Sequence, residues 1–378
     1  MSGRGGPEER EDGPAAVELV SVTRRYRDVV AVADADLDVA GGELLAVLGP
    51  SGSGKTTLLR LVVGLDAPTE GTVRIDGESV TGVPPYERRV GMVFERPTLF
   101  PHMTVADNVA FGLEMRGTPD AEIEPRVVDA LASLGLSELG HRDPSDLSAE
   151  QRQRVALARA LAIEPSVLLV DEPDVGVAEP RREAMRETLL DLRGELDAPV
   201  VYVTSDREEA LSVADRVAVM GDGVVHQVGS PEAVYRRPAD AFVADYLGGA
   251  NLLSGTVEAV GPGGYTVDLE VGETVVLSDA TGADANVREG KSVTVLFRPE
   301  LFYLHPRDYG GDADNRFEGV VADATFVGDR VEYDVDVGGE RLLVAQQNLE
   351  GNDRYGAGDD VVLTFSRGSP FVVPGGEE

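Results

Sequence analysis

The segment GPSGSGKT, from Gly49 to Thr56, constrains this chain more than any other part of its sequence. It follows an apolar run ending at Leu48 and precedes a stretch with helical spacing. Strand, glycine-rich loop and helix are therefore in the order that a phosphate-binding loop requires. A simple chain reversal would also use glycines, but it would leave Lys55 unexplained in a chain whose only other lysine is Lys291.

The residue types in this loop predict how phosphates would be held. Glycines let backbone N–H groups turn inward, and the helix N-terminus adds the positive end of its dipole. Lys55 can reach the β and γ oxygens of a nucleotide, and Thr56 can ligate Mg²⁺. The predicted binding residues are Gly49, Pro50, Ser51, Gly52, Ser53, Gly54, Lys55, Thr56 and Thr57.

A second element is the run SVLLVDEP, which begins at Ser166 and ends at Pro173. An apolar run that ends in two acids is usually only the end of a strand. Together with the glycine-rich loop it indicates phosphoryl transfer, because Asp171 can hold the magnesium and Glu172 can polarise the attacking water as general base.

The chain is long enough, at 378 residues, for one large and one smaller domain. Residues 1–16 are predicted to form a disordered acidic tail. From 17 to 248 short apolar runs alternate with longer helical patterns, which predicts an α/β domain with a mixed sheet. From 249 to 378 glycine-punctuated strands predict a small barrel or sandwich, for which two similar halves are one arrangement.

The net charge of −34 disfavours nucleic acid as a partner, because phosphate backbones would be repelled. The acidic residues are spread over both domains, which indicates the surface of a halophile's protein, kept soluble at very high salt. The alternative, an acidic interaction tail, would account only for the acidic residues at the N-terminus. Cysteine is absent, which excludes thiolate sites. No run of about 18 apolar residues is present, so we expect a cytoplasmic chain that reaches a membrane through a partner.

Beyond these two motifs, further segments resemble those of the ATP-binding subunits of ABC importers, in the group that carries polyamines, sugars, iron(III), sulfate or molybdate. They are residues 84–113, 149–161, 200–220 and 229–253. The resemblance implies an α/β fold: a phosphate-loop ABC ATPase domain with a mixed sheet and a helical subdomain, followed by a small all-β, oligonucleotide-fold-like accessory domain with a regulatory or ligand-sensing role.

The same resemblance implies a site and partners. ATP and Mg²⁺ are the expected cofactors, with Tyr26 stacking on adenine. Residues 98–158 would contact a transmembrane permease at the inner face of the cell membrane, and an extracytoplasmic solute-binding protein would act through that permease. Two ATP-binding subunits, as a homodimer or a heterodimer, would sandwich ATP, each offering Ser148 and Gln151 of its signature segment to the other's phosphate loop.

The sequence departs from the family at positions that face the γ-phosphate. Glu95 replaces a glutamine; it can still ligate Mg²⁺, but it adds negative charge. The signature segment reads Leu-Ser-Ala-Glu-Gln, with Ala149 and Glu150 in place of two glycines. A like charge about 5 Å from another costs about 3 kcal/mol at an effective dielectric near 20.

At two further positions the chain lacks a functional side chain of the family, and no charge is added. Ala178 stands where the family has an aspartate that crosses the dimer interface, and Ser205 stands where it has a histidine that contacts the γ-phosphate. Salt adaptation accounts for Glu95 and Glu150 but not for these two positions.

Two hypotheses follow. The chain hydrolyses ATP to drive import, or it is a weakly catalytic, nucleotide-responsive partner of an intact subunit. The acidic charge and the β domain disfavour a soluble DNA-repair or translation ATPase. The run PPYERR ahead of Val90 resembles the polyamine, iron and anion branch slightly more than the sugar branch, and nothing in the sequence identifies the solute.

Overall fold

A computed structural model describes residues 15–173, 186–188, 190–191, 196–278, 287–349 and 353–373. The chain divides into two compact units, Met1–Pro231 and Glu232–Glu378. The domain limits drawn from the sequence, with a division after residue 248, stay a prediction.

The N-terminal unit contains ten described strands. They are β1 (Val17–Tyr26), β2 (Val29–Val39), β3 (Leu44–Leu48), β4 (Glu70–Ile75), β5 (Glu78–Ser79), β6 (Val90–Val93), β7 (Val167–Asp171), β8 (Val200–Thr204), β9 (Arg216–Gly221) and β10 (Val224–Gly229). They form a four-stranded antiparallel sheet, β2-β1-β4-β5, and a six-stranded mixed sheet, β10-β9-β3-β8-β7-β6.

The mixed sheet is parallel from β6 through β9, and only β10 runs antiparallel to its neighbour. Every residue of β3, β7 and β8 is buried. Continuous apolar runs are typical of parallel strands covered on both faces, which is why these segments lack an alternating pattern.

The helices whose bounds are described in this unit are α1 (Lys55–Val63), α2 (Val105–Met115), α3 (Asp120–Ser133), α4 (Ala149–Leu161) and α5 (Arg207–Val213). Buried leucines of α1 belong to the same core as β3, β7 and β8. Helices α2, α3 and α4 pack against one another, and α4 also contacts β6. This group is the helical subdomain that the sequence predicts.

The C-terminal unit is all-β apart from short helical segments among its described residues. Its strands are β11 (Asn251–Gly261), β12 (Gly264–Leu269), β13 (Thr274–Leu277), β14 (Ser292–Phe297), β15 (Tyr303–Pro306), β16 (Asn315–Phe326), β17 (Arg330–Val337), β18 (Glu340–Gln347), β19 (Asp360–Phe365) and β20 (Phe371–Val373). They form two five-stranded sheets, β13-β12-β11-β14-β20 and β15-β19-β16-β17-β18, around one apolar core.

The two sheets are built alike, as the sequence suggested. Strands β11 and β16 both begin with asparagine and carry glycine four residues later, at Gly255 and Gly319. The Asn251 amide bonds the backbone of Leu343 in the other sheet, and the Asn315 amide bonds Val276 in the same way. Each asparagine thus satisfies backbone groups where the two sheets meet.

Two more helices, α6 (Pro231–Arg236) and α7 (Ala241–Gly248), precede β11. The guanidinium of Arg298 donates to the carbonyl oxygens of Ala244 and Tyr235, which attaches both helices to the β unit. In the described part of the chain no helix is long and apolar enough to span a membrane.

Candidate functional site

The predicted chemistry gathers at the carboxyl edge of the mixed sheet. Strands β3, β8, β7 and β6 are neighbours and run in parallel, so their C-terminal ends meet at one edge. The residues at or just after these ends are the Gly49 loop, Ser205, the Asp171–Glu172 pair and Glu95. Four segments distant in sequence are therefore adjacent in the fold.

We distinguish two sides of this site. The loop side comprises Gly49–Thr57 with Asp171 and Glu172. The signature side comprises Glu95, Ser148–Gln151 and Ser205. The segment with Ala178 lies outside the described residues.

At two of its glycines the phosphate loop approaches neighbouring backbone too closely to tolerate a side chain. A Cβ at Gly49 would clash with the carbonyl oxygen of Met220. Gly54 has φ +103°, and a Cβ there would clash with the carbonyl oxygen of Ala31. Both positions need glycine for steric reasons, and Gly54 also needs it for its left-handed backbone.

The N-terminus of α1 is open to an anion. Its N-cap, Gly54, offers no side-chain acceptor, whereas α2 and α4 are capped by the hydroxyls of Thr104 and Ser148. The buried Ser53 hydroxyl also has no hydrogen-bond partner in the structure as described. Uncapped N–H groups beside a buried, unsatisfied hydroxyl fit a bound phosphate, because phosphate oxygens accept from both kinds of donor.

Lys55 is buried, with 4% of its side chain exposed. Its Nζ donates to the carbonyl oxygens of Gly49 at 2.8 Å and Pro50 at 3.0 Å. It also lies 3.1 Å from Oε1 of Glu172. The lysine thus joins the loop to the carboxylate predicted as general base, and its charge is neutralised inside the site.

Glu172 occupies an unusual backbone conformation, with φ +36°. Its N–H donates to the carbonyl of Val203 at 2.9 Å, which fixes the turn after β7 to strand β8. A non-glycine residue in this region stores strain, which persists only when surrounding contacts enforce it. The conformation holds the Glu172 side chain within reach of Lys55.

Thr56 and Asp171 place two hard oxygen donors together. The Thr56 hydroxyl donates to Oδ1 of Asp171 at 3.1 Å. Burial raises the pKa of Asp171 from its usual value, and the charges of Glu172 and Glu95 raise it further, against the lowering effects of Thr56 and Lys55. A cation would relieve this crowding of negative charge, so the donor set fits Mg²⁺.

The metal would need more ligands than the protein supplies. Across the ranges that the structure describes, no three His, Asp or Glu side chains are grouped so as to hold a metal ion. Mg²⁺ commonly takes one or two protein oxygens and completes its shell with water and substrate phosphates. The pair Thr56 and Asp171 matches that pattern; Glu95 stays a predicted ligand.

The signature side begins with a complete capping box. The Ser148 hydroxyl accepts from the Gln151 N–H at 3.1 Å, and the Gln151 side chain accepts from the Ser148 N–H at 2.9 Å. Glu150 forms an ion pair of 2.8 Å with Arg154, one turn along α4. Its charge is therefore partly neutralised, which the sequence-based cost of about 3 kcal/mol did not include.

The remaining residues of the signature side are exposed. Half of the Glu95 side chain is accessible, and its nearest ion-pair contact is Arg96 at 3.9 Å. Ser205 is exposed after β8, immediately before Asp206, whose carboxylate caps α5. Both side chains are thus accessible at the sheet edge that also carries the phosphate loop.

Tyr26 ends β1 and is 39% exposed. Its hydroxyl donates to Asp66 at 2.7 Å, and the guanidinium of Arg24 lies 4.4 Å from its ring centroid.

Sequence reasoning missed Asp66, because forty positions separate it from Tyr26. It also missed Arg154, although the i, i+4 spacing to Glu150 would have indicated that pair.

Comparisons with known proteins agree with this geometry. The ABC transporter family matches residues 32–175, and the TOBE domain family matches residues 295–373. The spermidine/putrescine import ATP-binding protein PotA of Rubrobacter xylanophilus is 44% identical over 349 residues, covering 90% of this chain and 89% of that protein. The Fe(3+) ions import ATP-binding protein FbpC of Brucella abortus is 39% identical, covering 89% and 92%.

Among solved structures, the dimeric post-hydrolysis state of the ATP-binding cassette MJ0796 bound to ADP and Pi is similar. It has a TM-score of 0.52 and 31% identity, and the alignment covers 57% of this chain and 98% of that one.

Proposed function

Because the chain belongs to the family of ATP-binding subunits of ABC importers, we propose that its ATPase reaction uses the loop side, with Glu172 as general base. The observation that carries this proposal is the contact between Lys55 and Glu172, 3.1 Å apart, next to a loop in which Gly49 and Gly54 leave no room for a Cβ. Nucleotide phosphates would compete for Lys55. Their binding would release the Glu172 carboxylate to polarise water.

The other loop-side residues have binding roles in this proposal. N–H groups from Gly49 to Thr57 cradle the phosphates, and Lys55 neutralises their β and γ oxygens. Thr56 and Asp171 hold Mg²⁺, with Glu95 as a further candidate. When bound, the metal neutralises phosphate charge. Tyr26 offers its ring to the adenine.

The Ser148–Gln151 segment acts on a second nucleotide in this proposal. Ser148 and Gln151 would approach the γ-phosphate held by a partner subunit, which is either a second copy or a sister subunit. Glu95 and Ser205 lie at the same sheet edge as this chain's own phosphate loop and would act on the nucleotide bound there. The similarity to a cassette solved as a dimer supports the arrangement of the signature segment.

The partners and the location follow from the same family. The chain works with a membrane permease, and we propose that it lies on the inner face of the cell membrane. A groove of about 470 Å³ next to β6 is lined by Tyr86, Met92, Phe111, Met115 and Ile163, among others. We propose that a permease helix docks there, and that an extracytoplasmic solute-binding protein signals through the permease.

We propose a polyamine as the solute, on the similarity to the spermidine/putrescine relatives. The test is ATP hydrolysis by the reconstituted transporter with its binding protein. Spermidine should stimulate it and ferric iron should not; the reverse would identify an iron importer, as named in the Brucella abortus relative.

A second candidate function is a weakly catalytic partner of an intact subunit. The observation that favours it is the distribution of the departures: Glu95, Ala149, Glu150 and Ser205 all lie on the signature side, while Lys55, Thr56, Asp171 and Glu172 are retained. Such a chain would bind ATP but depend on its sister for turnover.

One experiment separates the two functions. Magnesium-dependent phosphate release is measured with the full chain in its transporter, for wild type, Glu172→Gln and the exposed control Glu258→Gln. We expect Glu172→Gln to lower kcat by about 10² to 10³ while ATP still binds, and the control to match wild type. Equal turnover in all three would favour the weakly catalytic partner.

We also propose that the surface is adapted to high salt. The charge of −34 supports this, because screening lengths shrink to about 3 Å at 1 M salt. The thermal unfolding midpoint should rise between about 0.1 M and about 3 M KCl. A flat or falling midpoint would contradict the proposal.

A further inference from the structure

Asp66 is the centre of a small network that joins Tyr26 to the end of the phosphate-loop helix. Its carboxylate accepts from the Tyr26 hydroxyl at 2.7 Å and from Nε of Arg60 at 2.6 Å. Arg24 adds a longer contact of 3.4 Å to the other carboxylate oxygen. Three donors from two elements, β1 and α1, therefore converge on one side chain.

The backbone strengthens this connection. Helix α1 is followed by its C-cap, Gly64, in a left-handed conformation, and the N–H of Asp66 donates to the carbonyl oxygen of Arg60 at 3.1 Å. Asp66 is thus bonded to Arg60 through both its main chain and its side chain. Because Arg60 and Lys55 belong to the same helix, the carboxylate has a fixed position relative to the phosphate loop.

The charge of Asp66 is well compensated. Burial raises its pKa, but hydrogen bonds from Tyr26 and Arg60 outweigh that effect, so the pKa lies below its usual range. The same contact raises the pKa of Arg60. An ionised carboxylate accepts stronger hydrogen bonds than a neutral group. The Tyr26 phenol is therefore anchored firmly.

The Tyr26 ring is held in one orientation. The Arg24 guanidinium covers one of its faces, 4.4 Å from the centroid, and itself donates to the carbonyl oxygen of Ala67 at 2.8 Å. Because 39% of Tyr26 is exposed, ring surface remains for a planar ligand. A base that stacks on this ring would have to use the face opposite Arg24.

We propose that Asp66 is a positioning residue for nucleotide-base recognition: it fixes the Tyr26 ring so that an adenine stacks against the face opposite Arg24. This inference rests on the proposed nucleotide site. An aromatic ring that is already ordered loses less side-chain entropy when a ligand binds. Asp66 would thus act through Tyr26, without touching the nucleotide.

The test compares a ligand that has a base with one that lacks it. Calorimetry on the full chain measures Kd for Mg·ATP and for Mg·tripolyphosphate in wild type, Asp66→Ala, Asp66→Asn and the exposed control Asp129→Ala. We expect Asp66→Ala to weaken ATP about three- to tenfold with tripolyphosphate unchanged. The control should match wild type for both ligands.

A variant of Tyr26 tests the same hydrogen bond between Tyr26 and Asp66 by removing its donor. Tyr26→Phe keeps the ring and removes the hydroxyl, so it should reproduce the ATP-specific loss even if Asp66→Ala does not fold. In a Tyr26→Ala background, Asp66→Asn should have no further effect on ATP.

Two results would overturn the inference. If the Asp66 variants bound ATP and tripolyphosphate equally more weakly, Asp66 would serve only the fold of α1. If Asp66→Asn and Tyr26→Phe left the affinity for ATP unchanged, Asp66 would not position the ring. Failure of the proposed phosphate site is distinguishable, because wild type would then bind neither ligand. Wild type that binds ATP no more tightly than tripolyphosphate would contradict base stacking on Tyr26, and with it this inference.

Discussion

The loop side and the signature side of the nucleotide site differ most in burial. Lys55 and Asp171 are each only 4% exposed, whereas 50% of the Glu95 side chain and 35% of the Glu150 side chain are accessible. The loop side retains the residues of its family, and the described departures lie on the exposed signature side. The two most buried charged side chains of the site thus belong to the loop side.

The two sides differ because the loop-side residues contact one another within the chain, whereas the signature-side residues named here face solvent. Glu172 pairs with the buried Lys55 and Thr56 with the buried Asp171, so substituting either partner would leave a buried charge uncompensated, which is costly. Glu150 and Ser205 are solvent-facing, so the fold tolerates substitutions there. Substitutions at these positions would instead change the rate of ATP hydrolysis.

We expect the largest effect from a substitution that disrupts the packing of the loop side. Gly54→Ala introduces a Cβ against the carbonyl oxygen of Ala31 at a left-handed backbone position. We expect the free energy of unfolding to fall by about 3 kcal/mol and ATP binding to be lost. Chemical denaturation and calorimetry measure both quantities.

Gly52→Ala is the matched control, because its φ is also positive but nothing lies within 4 Å of its Cβ. It should cost only about 1 kcal/mol. Equal losses in the two variants would show that backbone strain, and not the contact with Ala31, sets the requirement for glycine.

A smaller effect is expected on the signature side, at Ser205. Ser205→His restores a side chain that can donate to phosphate, and we expect kcat to rise about tenfold with stability unchanged, because the position is exposed. Steady-state hydrolysis by the assembled transporter gives the rate, with the exposed Ser137→His as control. An unchanged kcat would argue that Ser205 does not face a γ-phosphate.

The smallest effect concerns the ion pair of Glu150 and Arg154. Arg154→Met should lower ATPase activity a few-fold in wild type, because it leaves the Glu150 charge uncompensated at the start of α4. In a Glu150→Gly background the same change should have little effect. A double-mutant cycle should give a coupling of about 1 kcal/mol, as expected for a partly exposed pair, and additive effects would contradict the role of Arg154.

Much of the fold was predictable because its signals are local. The strand, glycine-rich loop and helix around Lys55 were predicted from consecutive residues, and the glycine-punctuated strands after Asn251 were predicted from alternation and turn residues. The helical subdomain and the all-β second unit are confirmed as well. These features depend on backbone propensities and hydrophobic period, which a sequence displays directly.

The sequence by itself determined the loop, the acidic pair after β7 and the surface charge, since each depends on neighbouring residues or on composition. Tertiary structure alone decided that Lys55 pairs with Glu172 and that Asp66 anchors Tyr26. These contacts join positions 117 and 40 residues apart, and they form only because parallel strands bring their carboxyl ends to one edge and because α1 returns its end to β1. Long-range pairing of this kind leaves no periodic pattern in a single sequence.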